Sequence, residues 1–332
     1  MRRVVLFVIL CALGSGGAAV SATLRMSLPP VFEALPIAFA EAWGLFDAEG
    51  VSVDLVGITD NQERSTALLT GNLDAVMEDV TRALLDYSSA RDLVITGSAI
   101  SVPQTDSVPL GLLSHAGFGA ESLAALLATN QKIGISYRTD DEYMLDQLLV
   151  ACGITKGWST RYMYFNDSLQ LAIWFAAQTV PVATLREPYI SYIATYHAPN
   201  LAPPNLSWLS TFSGIAPVPC AVVFRKAFVR DNPSAIAAFY RAHAAAVDRI
   251  NAMPRDELIA VGLDVVLGLF FQGANSSSVP QEALDAISIP RFEPPAPLPE
   301  QTFTNVVSWM QKKGYLYERL EYAAVVDNHF LP

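Results

Sequence analysis

In the first quarter of the chain, the apolar positions change from helical spacing to a strand-like run, and the change then repeats. Residues 37–45 are apolar at helical intervals, and residues 51–56 form a short run rich in valine. A second helix is predicted at residues 62–69 and a second strand at residues 73–77. This succession of helix and strand predicts a parallel α/β sheet.

Glycine and proline residues mark several ends of these elements. Gly44 and Gly50 stand where helices end, at positions that need a residue tolerant of positive φ. Residues 290–299 are rich in proline and predict an exposed connector.

The alternation continues along the rest of the chain. Further strands are predicted at residues 23–28, 93–100, 110–113, 132–136, 161–165, 182–185 and 220–224. Further helices are predicted at residues 117–127, 140–152, 168–178, 233–251, 258–271 and 301–314. Because the chain is longer than a typical single core and the alternation repeats, we expect two lobes.

The N-terminus has the pattern of a secretory signal peptide. Arg2 and Arg3 precede a strongly apolar run at residues 4–13, and small residues then lead to a cleavage site of the A-x-A type before Thr23. We therefore predict that residues 1–22 are removed and that the mature protein is periplasmic.

A membrane anchor is the alternative interpretation of this segment. Its apolar run is about half as long as the roughly 20 residues that a membrane-spanning helix needs. Cys11 is a candidate for lipid attachment, but Leu10 precedes it where a small residue is expected. The prediction is therefore a cleaved signal peptide without a lipid anchor.

The chain is acidic, with a formal net charge of −11. Removal of the signal peptide takes away two arginines and no acid, which changes this charge to −13. An acidic exported protein is a poor partner for the phosphates of nucleic acids or for anionic lipids. Nucleic-acid binding is therefore not expected.

Cysteine and histidine give little sign of a metal site. Cys152 and Cys220 remain after removal of the signal peptide, and they either form a disulfide or are two small buried residues. No metal-binding spacing is found among the four histidines, so no metal is predicted. The histidines are His115, His197, His243 and His329.

Five segments of the chain resemble segments of a known protein family. They are residues 36–53 (PIAFAEAWGLFDAEGVSV), 67–76 (ALLTGNLDAV), 132–136 (KIGIS), 186–188 (REP) and 228–233 (FVRDNP). Their order and spacing are similar to those of the NMT1/THI5-like and sulfonate- or nitrate-binding proteins, which are substrate-binding components of ABC importers. The likeness spans nearly the whole mature chain.

The resemblance implies a fold and a division of the chain. The fold is α/β, of the two-lobe periplasmic-binding-protein type II, with a ligand cleft between the lobes. Lobe 1 would comprise residues 23–109 and 220–332, and lobe 2 residues 110–219. A hinge is expected where the chain crosses between the lobes, near residues 101–109 and 217–220.

Candidate ligand contacts follow the strands of both predicted sheets. The loops at the carboxyl ends of parallel strands lie at one edge of a sheet and expose the N-H groups of helix N-termini, so two facing edges form a cleft. The candidates are Phe32, Glu33, Asp60, Asn61, Glu78, Asp79, Thr81, Ser101, Ser136, Tyr137, Arg138, Thr139, Asn166, Asp167, Glu187 and Tyr189. Residues 136–139 are the strongest, because they combine hydroxyls, a positive charge and a ring at the start of a helix.

Several of these residues also have an ordinary structural interpretation. Asp60 and Asp167 precede helices and are typical N-caps. Residues 78 and 79 are alternatively acids of a solvated loop. Glu187 alternatively only shapes the turn before Pro188. Phe32 and Trp174 are of a type more often found in the core than at a ligand.

An enzymatic role is not expected. The resembled family includes a pyrimidine synthase that uses pyridoxal phosphate, and that chemistry needs a Schiff-base lysine and a histidine near the cleft. Residues 23–109 contain neither lysine nor histidine, and no hydrolase motif is present. We therefore predict a binding protein without catalytic residues or cofactors.

The expected function is that of an extracytoplasmic solute-binding protein of an ABC importer, a monomer that captures a small molecule by hinge closure and delivers it to a membrane permease. The rings of Phe32, Tyr137 and Tyr189 favour a planar heterocycle, such as a pyrimidine precursor of thiamine or a flavin. Residues 136, 138 and 139 favour a sulfonate or nitrate instead. A ligand-sensing domain of a signalling system is the third alternative.

Overall fold

The computed structural model describes residues 23–102, 109–117, 119–155, 157–195, 205–271, 279 and 281–332. The predicted signal peptide with Cys11, His197 and residues 103–108 of the first predicted crossover lie outside the described residues. No described helix is both long and apolar enough to cross a membrane.

The described residues contain twelve strands. They are β1 (Thr23–Ser27), β2 (Ser52–Leu55), β3 (Ala75–Asp79), β4 (Leu93–Ala99), β5 (Ser101–Val102), β6 (Leu110–His115), β7 (Ile133–Ser136), β8 (Tyr162–Phe165), β9 (Val182–Arg186), β10 (Leu206–Ser210), β11 (Cys220–Arg225) and β12 (Arg291–Phe292).

Fourteen α-helices lie in the same described ranges. They are α1 (Leu35–Ala42), α2 (Leu45–Ala48), α3 (Asn61–Leu69), α4 (Val80–Ser89), α5 (Leu123–Ala128), α6 (Asp140–Ala151), α7 (Ser168–Ala176), α8 (Tyr189–Thr195), α9 (Lys226–Asp231), α10 (Pro233–Ala252), α11 (Arg255–Phe270), α12 (Gln281–Ala286), α13 (Glu300–Lys313) and α14 (Tyr322–Val325). Short 3-10 helices at Phe32–Ala34 and Trp158–Arg161 complete the set.

Two five-stranded sheets organise the molecule. The first sheet has the order β2–β1–β3–β11–β4, and the second has the order β10–β6–β9–β7–β8. In the first sheet β1 is parallel to β2 and β3, whereas β11 is antiparallel to its neighbours β3 and β4. In the second sheet β7 is parallel to β8 and β9, whereas β6 is antiparallel to β9 and β10.

The side chains of each sheet alternate between two helical layers. In β3, Ala75 and Met77 pack with α1, α2 and α10, whereas Val76 packs with α3, α4 and α13. The second sheet has α5 and α6 on one face and α7 and α8 on the other. We call the first sheet with α1–α4, α9, α10, α13 and α14 lobe 1, and the second sheet with α5–α8 lobe 2.

A shared apolar layer joins the two lobes. It contains residues of α7 and α8 from lobe 2, residues of α1 from lobe 1, and α11 and α12 between them. Helix α11 is interrupted at Gly262, where a Cβ atom would lie 2.2 Å from the ring of Phe39 on α1. Glycine at this position therefore permits the close approach of the two helices.

Both sheets draw their strands from the predicted parts of the chain. The first sheet uses β1–β4 and then β11, and the second uses β6–β10. The residue boundaries of the lobes themselves stay a prediction. Gly44 and Gly50 have φ values of 66° and 79°, as the predicted helix ends required.

Three local predictions were wrong. The helix predicted at residues 117–127 begins at Leu123, because Ser122 caps it by accepting a hydrogen bond of 3.1 Å from Ala125 N. Residues 290–299 are not a fully exposed connector, because β12 pairs with β5 and Leu298 is buried. Trp174 is not in the core, since 44% of its surface is exposed.

The two cysteines of the described residues are free. Cys152 is exposed directly after α6, and Cys220 is buried at the start of β11. The disulfide alternative therefore does not describe this structure.

Candidate functional site

The ends of β3 and β7 bring two helix N-termini together. Helix α4 follows β3 in lobe 1, and α6 follows β7 in lobe 2 after a turn of three residues. Asp140, the first residue of α6, contacts Val80 and Thr81, the first two residues of α4. The carboxyl-end edges of the two sheets therefore face each other, as the strand pattern predicted.

The Asp140 carboxylate occupies the N-terminus of α4. Its oxygens accept hydrogen bonds of 2.9 Å from Val80 N, 3.0 Å from Thr81 N and 2.6 Å from Thr81 Oγ1. Burial and the neighbouring Asp79 raise the pKa of Asp140 to about 7, although these hydrogen bonds favour the ionised form. Lobe 2 thus supplies the cap of a lobe 1 helix.

Two further hydrogen bonds cross between the lobes. Arg82 Nη2 donates to the carbonyl oxygen of Tyr137 over 3.1 Å, and Asn61 N donates to the carbonyl oxygen of Asn166 over 3.0 Å. All three crossings use residues in the loops or first helical turns that follow strands. The structure therefore shows the two edges in contact.

A buried ion pair lies at the end of β9. Arg186 Nε donates to Asp141 Oδ1 over 2.6 Å, and both side chains are largely buried. Burial alone would lower the pKa of Arg186, but the nearby carboxylates of Asp141, Glu33 and Asp79 raise it above its ordinary value. Burial raises the pKa of Asp79, and Arg186 opposes this shift.

The lobe 1 edge adds further acceptors. Ser101 Oγ donates to Glu33 Oε1 over 2.7 Å, and both residues are buried. Burial, followed by the charges of Glu33 and Asp79, raises the pKa of the Cys220 thiol well above its ordinary value. The edge is therefore rich in carboxylates, and the thiol beside them stays protonated.

Tyrosine and arginine side chains flank this contact. Tyr137 and Tyr164 have ring centroids 4.6 Å apart, and the guanidinium carbon of Arg138 lies 4.9 Å from the ring centroids of both Tyr137 and Tyr315. Arg138 has a φ of 55°, in the left-handed region. The predicted residues Tyr137 and Arg138 thus lie together, next to a C-terminal tyrosine that was not predicted.

A second contact between the lobes connects α6 to α13, and we call it the α6–α13 clasp. Lys313 Nζ lies 3.0 Å from Glu142 Oε1 and 2.6 Å from Asp146 Oδ2. Trp309 Nε1 donates to Asp146 Oδ2 over 2.9 Å, and Tyr315 Oη donates to Glu142 Oε1 over 2.9 Å. The clasp therefore surrounds two acids of lobe 2 with donors of lobe 1.

Donors of lobe 2 complete the clasp. Tyr164 Oη donates to Glu142 over 3.0 Å, and Tyr162 Oη donates to Asp146 over 2.7 Å. Burial and these carboxylates raise the pKa values of both tyrosines, so both hydroxyls remain donors. A groove of about 480 Å³ lies beside the clasp, between α6 and α13.

A charge cluster lies inside lobe 1, between β3 and helices α3 and α4. It consists of Glu78, Arg64, Arg82, Asp86 and Ser65, all of them buried. Burial, followed by the charge of Asp86, raises the pKa of Glu78 well above its ordinary range. Burial also raises the pKa of Asp86 to about 6. We call these five residues the lobe 1 charge cluster.

Two predicted candidates act as helix caps. Asp60 Oδ1 accepts hydrogen bonds of 2.8 Å from Gln62 N and 2.9 Å from Glu63 N, and Asp167 Oδ1 accepts one of 3.0 Å from Gln170 N. The capping interpretation of both residues is confirmed. A contact with a ligand stays a prediction for both.

Two predicted ring contacts lie in the apolar layer instead of the cleft. Phe32 is buried edge-on to Phe270, with ring centroids 5.5 Å apart. Tyr189 is fully buried, and its hydroxyl donates to the carbonyl oxygen of Phe270 over 3.0 Å. The expectation that these rings face a ligand is therefore corrected, because both rings are packed among buried apolar side chains.

Three further candidates, Ser136, Thr139 and Glu187, have polar partners within the protein. Thr139 Oγ1 donates to the carbonyl oxygen of Ser136 over 3.0 Å, and Ser136 Oγ lies 3.4 Å from Ser168 Oγ. Glu187 accepts hydrogen bonds from the N-H and hydroxyl of Ser191, which belongs to α8. These contacts orient the loops at the cleft edge.

The acids after β3 are not in a solvated loop. Glu78 lies within β3 and is buried, and Asp79 is the last residue of the same strand. The alternative interpretation of these two residues was therefore wrong, because the strand extends farther than predicted.

Sequence reasoning missed Asp140, Asp141, Arg82 and Arg186 as residues of the site. Asp140 and Asp141 stand at the start of the helix predicted at residues 140–152, where acids favour the helix itself. Arg186 belongs to the REP segment and directly precedes Glu187, so its position at a strand end was a usable signal. No pattern in the sequence identifies Asp140 as the cap of a helix 60 residues away.

Metal ligands are not grouped in this part of the molecule. Within the described ranges, no cluster of three or more histidine, cysteine, aspartate or glutamate side chains is arranged to hold a metal ion. The candidate site is a polar contact between the two sheet edges, formed by backbone N-H groups, carboxylates, arginines and tyrosines.

The two sheets, their strand orders and the cleft between their edges define the two-lobed periplasmic-binding-protein fold. The alkanesulfonate-binding protein SsuA from Xanthomonas axonopodis pv. citri, in a structure bound to MOPS, is similar to this chain. Its TM-score is 0.71 at 15% sequence identity, and the match covers 94% of this chain and 100% of that chain.

Two other solved structures share the fold. The periplasmic nitrate-binding protein NrtA from Synechocystis PCC 6803 has a TM-score of 0.68 at 14% identity, with 94% of this chain and 87% of that chain covered. A ligand-binding component of an ABC-type import system from Staphylococcus aureus, with zinc bound, has a TM-score of 0.68 at 10% identity, with 93% and 98% covered. No protein-family model and no curated protein matches the sequence.

These neighbours confirm the predicted fold. Sulfonate- and nitrate-binding proteins are among them, in agreement with that part of the sequence resemblance. The NMT1/THI5-like assignment stays a prediction.

Proposed function

We propose that the protein is the extracytoplasmic solute-binding component of an ABC importer and has no catalytic activity of its own. The observation that carries the proposal is the meeting of two sheet edges, where Asp140 of lobe 2 binds the N-terminus of α4 in lobe 1. Such edges are where open α/β sheets bind ligands. The similarity to a ligand-binding component of an ABC-type import system, and to sulfonate- and nitrate-binding proteins, supports the same function.

Hinge closure is the proposed mechanism. A ligand docks on one edge, the other lobe rotates about the crossovers near residues 101–109 and 217–220, and contacts from both lobes then favour the closed state. A membrane permease recognises the closed form. The predicted signal peptide supports a periplasmic location, and we propose that the exported protein is a monomer.

A planar heterocycle with N-H donors, such as a pyrimidine precursor of thiamine or a flavin, is the proposed ligand class. Tyr137 offers a ring at the cleft edge, and Glu33, Asp79 and Asp140 offer acceptors. Phe32 and Tyr189 no longer support this choice, since both are buried in the apolar layer.

A sulfonate or nitrate ligand is the second candidate. The similarity to SsuA, an alkanesulfonate-binding protein, and NrtA, a nitrate-binding protein, favours it. The hydroxyl of Thr139, one of the predicted anion donors, donates to a backbone carbonyl instead. Arg138 remains the main residue in favour of this ligand class.

Binding and closure are tested together in the purified mature protein. A thermal-shift panel of vitamins, their precursors and sulfonates identifies the ligand, and small-angle X-ray scattering with and without it measures closure. We expect Tyr137→Ala and Asp79→Ala to weaken binding at least about tenfold, since each loses a direct contact. Their melting temperatures should change far less.

Matched controls use exposed residues of the same types. Tyr317→Ala and Asp54→Ala remove an exposed ring and an exposed carboxylate, and neither should change affinity. Equal affinities for the parent and both cleft variants would refute this site. Turnover of the ligand, or a visible absorbance from a bound aldimine, would indicate an enzyme. Interaction of the ligand-bound protein with a signalling kinase would indicate a sensor.

A further inference from the structure

Two elements of the cleft are built to attract anions. The N-terminus of α4, a helix of ten residues, presents the N-H groups of Val80 and Thr81 together with the Thr81 hydroxyl. Helix N-termini favour negative charge through these free donors and through the helix dipole. The second element is the guanidinium of Arg186, because arginine matches oxyanions with paired donors.

Both elements are already occupied by adjacent carboxylates of α6. Asp140 accepts hydrogen bonds from the two N-H groups and the hydroxyl at α4, and Asp141 accepts one from Arg186. Asp140, Asp141 and Thr81 are buried. A negative ligand that enters the closed cleft must therefore displace a buried acid of the protein.

Two further carboxylates lie near Asp140 and Asp141. They belong to Glu33 and Asp79, and the charges of both raise the pKa of Arg186. A ligand anion would meet these like charges at short range, in a region where desolvation makes repulsion strong. A neutral or cationic ligand with N-H donors meets acceptors instead.

We propose that Asp140 and Asp141 determine the ligand specificity of the cleft. Their carboxylates fill the two anion-binding positions, so that the protein excludes sulfonates and nitrate and takes a neutral or cationic ligand that donates hydrogen bonds. This inference rests on the proposed function, because it concerns the ligand class of the same site.

Removal of the two acids should convert the cleft to anion binding. The purified mature protein and its Asp140→Ala, Asp141→Ala and double variants are titrated with sodium nitrate and sodium methanesulfonate by isothermal calorimetry at constant ionic strength. We expect no saturable binding to the parent. The double variant should bind at least one of the two salts at least about tenfold more tightly than the parent, since helix N-H groups and Arg186 become free.

Net charge and folding are controlled separately. Asp54→Ala removes one exposed carboxylate of β2 and should not create anion binding. Circular dichroism establishes whether each variant folds. If the alanine variants do not fold, Asp141→Asn keeps the side-chain volume and should still raise nitrate affinity, because it leaves the Arg186 charge unpaired.

Two outcomes would overturn the inference. One is saturable binding of nitrate or methanesulfonate by the parent below about 1 mM, which corresponds to roughly 4 kcal/mol of binding free energy. The other is a gain in the folded acid variants no larger than that of Asp54→Ala. A different result would refute the proposed function. In that case no compound of the ligand panel binds the parent and closes its lobes, and this result does not depend on what the acid variants bind.

Discussion

Two glutamates, one in each lobe, are equally buried but differ in their partners. Glu78 of β3 is 1% exposed, and neither of its carboxylate oxygens has a hydrogen-bond partner among the described residues. Glu142 of α6 is 0% exposed, and its carboxylate accepts hydrogen bonds from two tyrosines and a backbone N-H and pairs with Lys313.

The difference shows what burial of a charge requires. A carboxylate that leaves water without partners is destabilised in its ionised form, and its pKa rises, as for Glu78. A carboxylate that several donors surround has hydrogen-bond partners in place of water, and it holds those donors in place. Glu142 therefore joins the lobes, whereas the charge of Glu78 is disfavoured in its own lobe.

The largest effect is expected from Lys313→Met. The variant keeps most of the side-chain stem but removes the ammonium between Glu142 and Asp146. Glu142, which is buried, and Asp146, which is partly exposed, lose their cation, so we expect the free energy of unfolding to fall by about 3 kcal/mol. Urea denaturation measures this change. Lys312→Met, at an exposed neighbour, should cost less than about 0.5 kcal/mol, and equal losses would refute the clasp.

A direct test of the comparison replaces each glutamate with glutamine. Glu142→Gln weakens several charge-assisted bonds and should lower the free energy of unfolding by about 2 kcal/mol. Glu78→Gln removes no hydrogen bond within the described structure and should cost less than about 1 kcal/mol at neutral pH. Urea denaturation of both variants decides the order, and a larger loss for Glu78→Gln would reverse the comparison.

The pH dependence of Glu78→Gln has a definite sign. Because its pKa is raised in the folded protein, Glu78 keeps a proton that the unfolded chain releases near about pH 4. This contribution to stability is present at low pH and is lost as the pH rises above that value. Relative to the variant, the parent should therefore lose stability from pH 4 upward.

His243 extends the comparison to a buried base. Neither ring nitrogen has a partner in the described part of the chain, and burial lowers the pKa of His243 to about 4. The unfolded chain therefore binds more protons between about pH 4 and 6.5, and stability falls as the pH is lowered through this range. When the pH is lowered from 7 to 5, the free energy of unfolding of His243→Leu should fall by about 2 kcal/mol less than that of the parent. Urea denaturation at both pH values measures this difference. An unchanged pH dependence would contradict this.

The smallest effect is expected from Tyr315→Phe. The variant keeps the ring near Arg138 but loses the hydroxyl that donates to Glu142. Since Glu142 keeps its other donors, we expect a loss of about 1 kcal/mol. Tyr317 is 94% exposed, so Tyr317→Phe is the matched control and should leave thermal and urea melting unchanged.

The sequence predicted the architecture well, because the information is local. Helical spacing and short valine-rich runs depend on neighbouring residues, and they located β1, β3, β7 and β9 within a few residues. Helix α8 and strand β10 were not predicted. Strand β10 is an edge strand in which four of the five residues are at least partly exposed, so its pattern is weaker.

The candidate site was predicted only in part, for a physical reason. The position of Tyr137, Arg138 and Asp79 at strand ends follows from the sheet rule. The sheet rule does not predict the partners of Asp140. An acid at the start of α6 is already favourable for its own helix, so nothing local indicates that it caps α4 instead. Which helix it serves depends on how the two lobes meet.

Cys152 gives this arrangement a practical consequence. It is an exposed thiol at the C-terminal end of α6, the helix that makes both the Asp140 contact and the clasp, whereas Cys220 is buried. Among the described residues, a maleimide fluorophore should therefore react at one known point, without an engineered cysteine. Its emission would follow the motion of α6 in solution, in real time, as solutes are added.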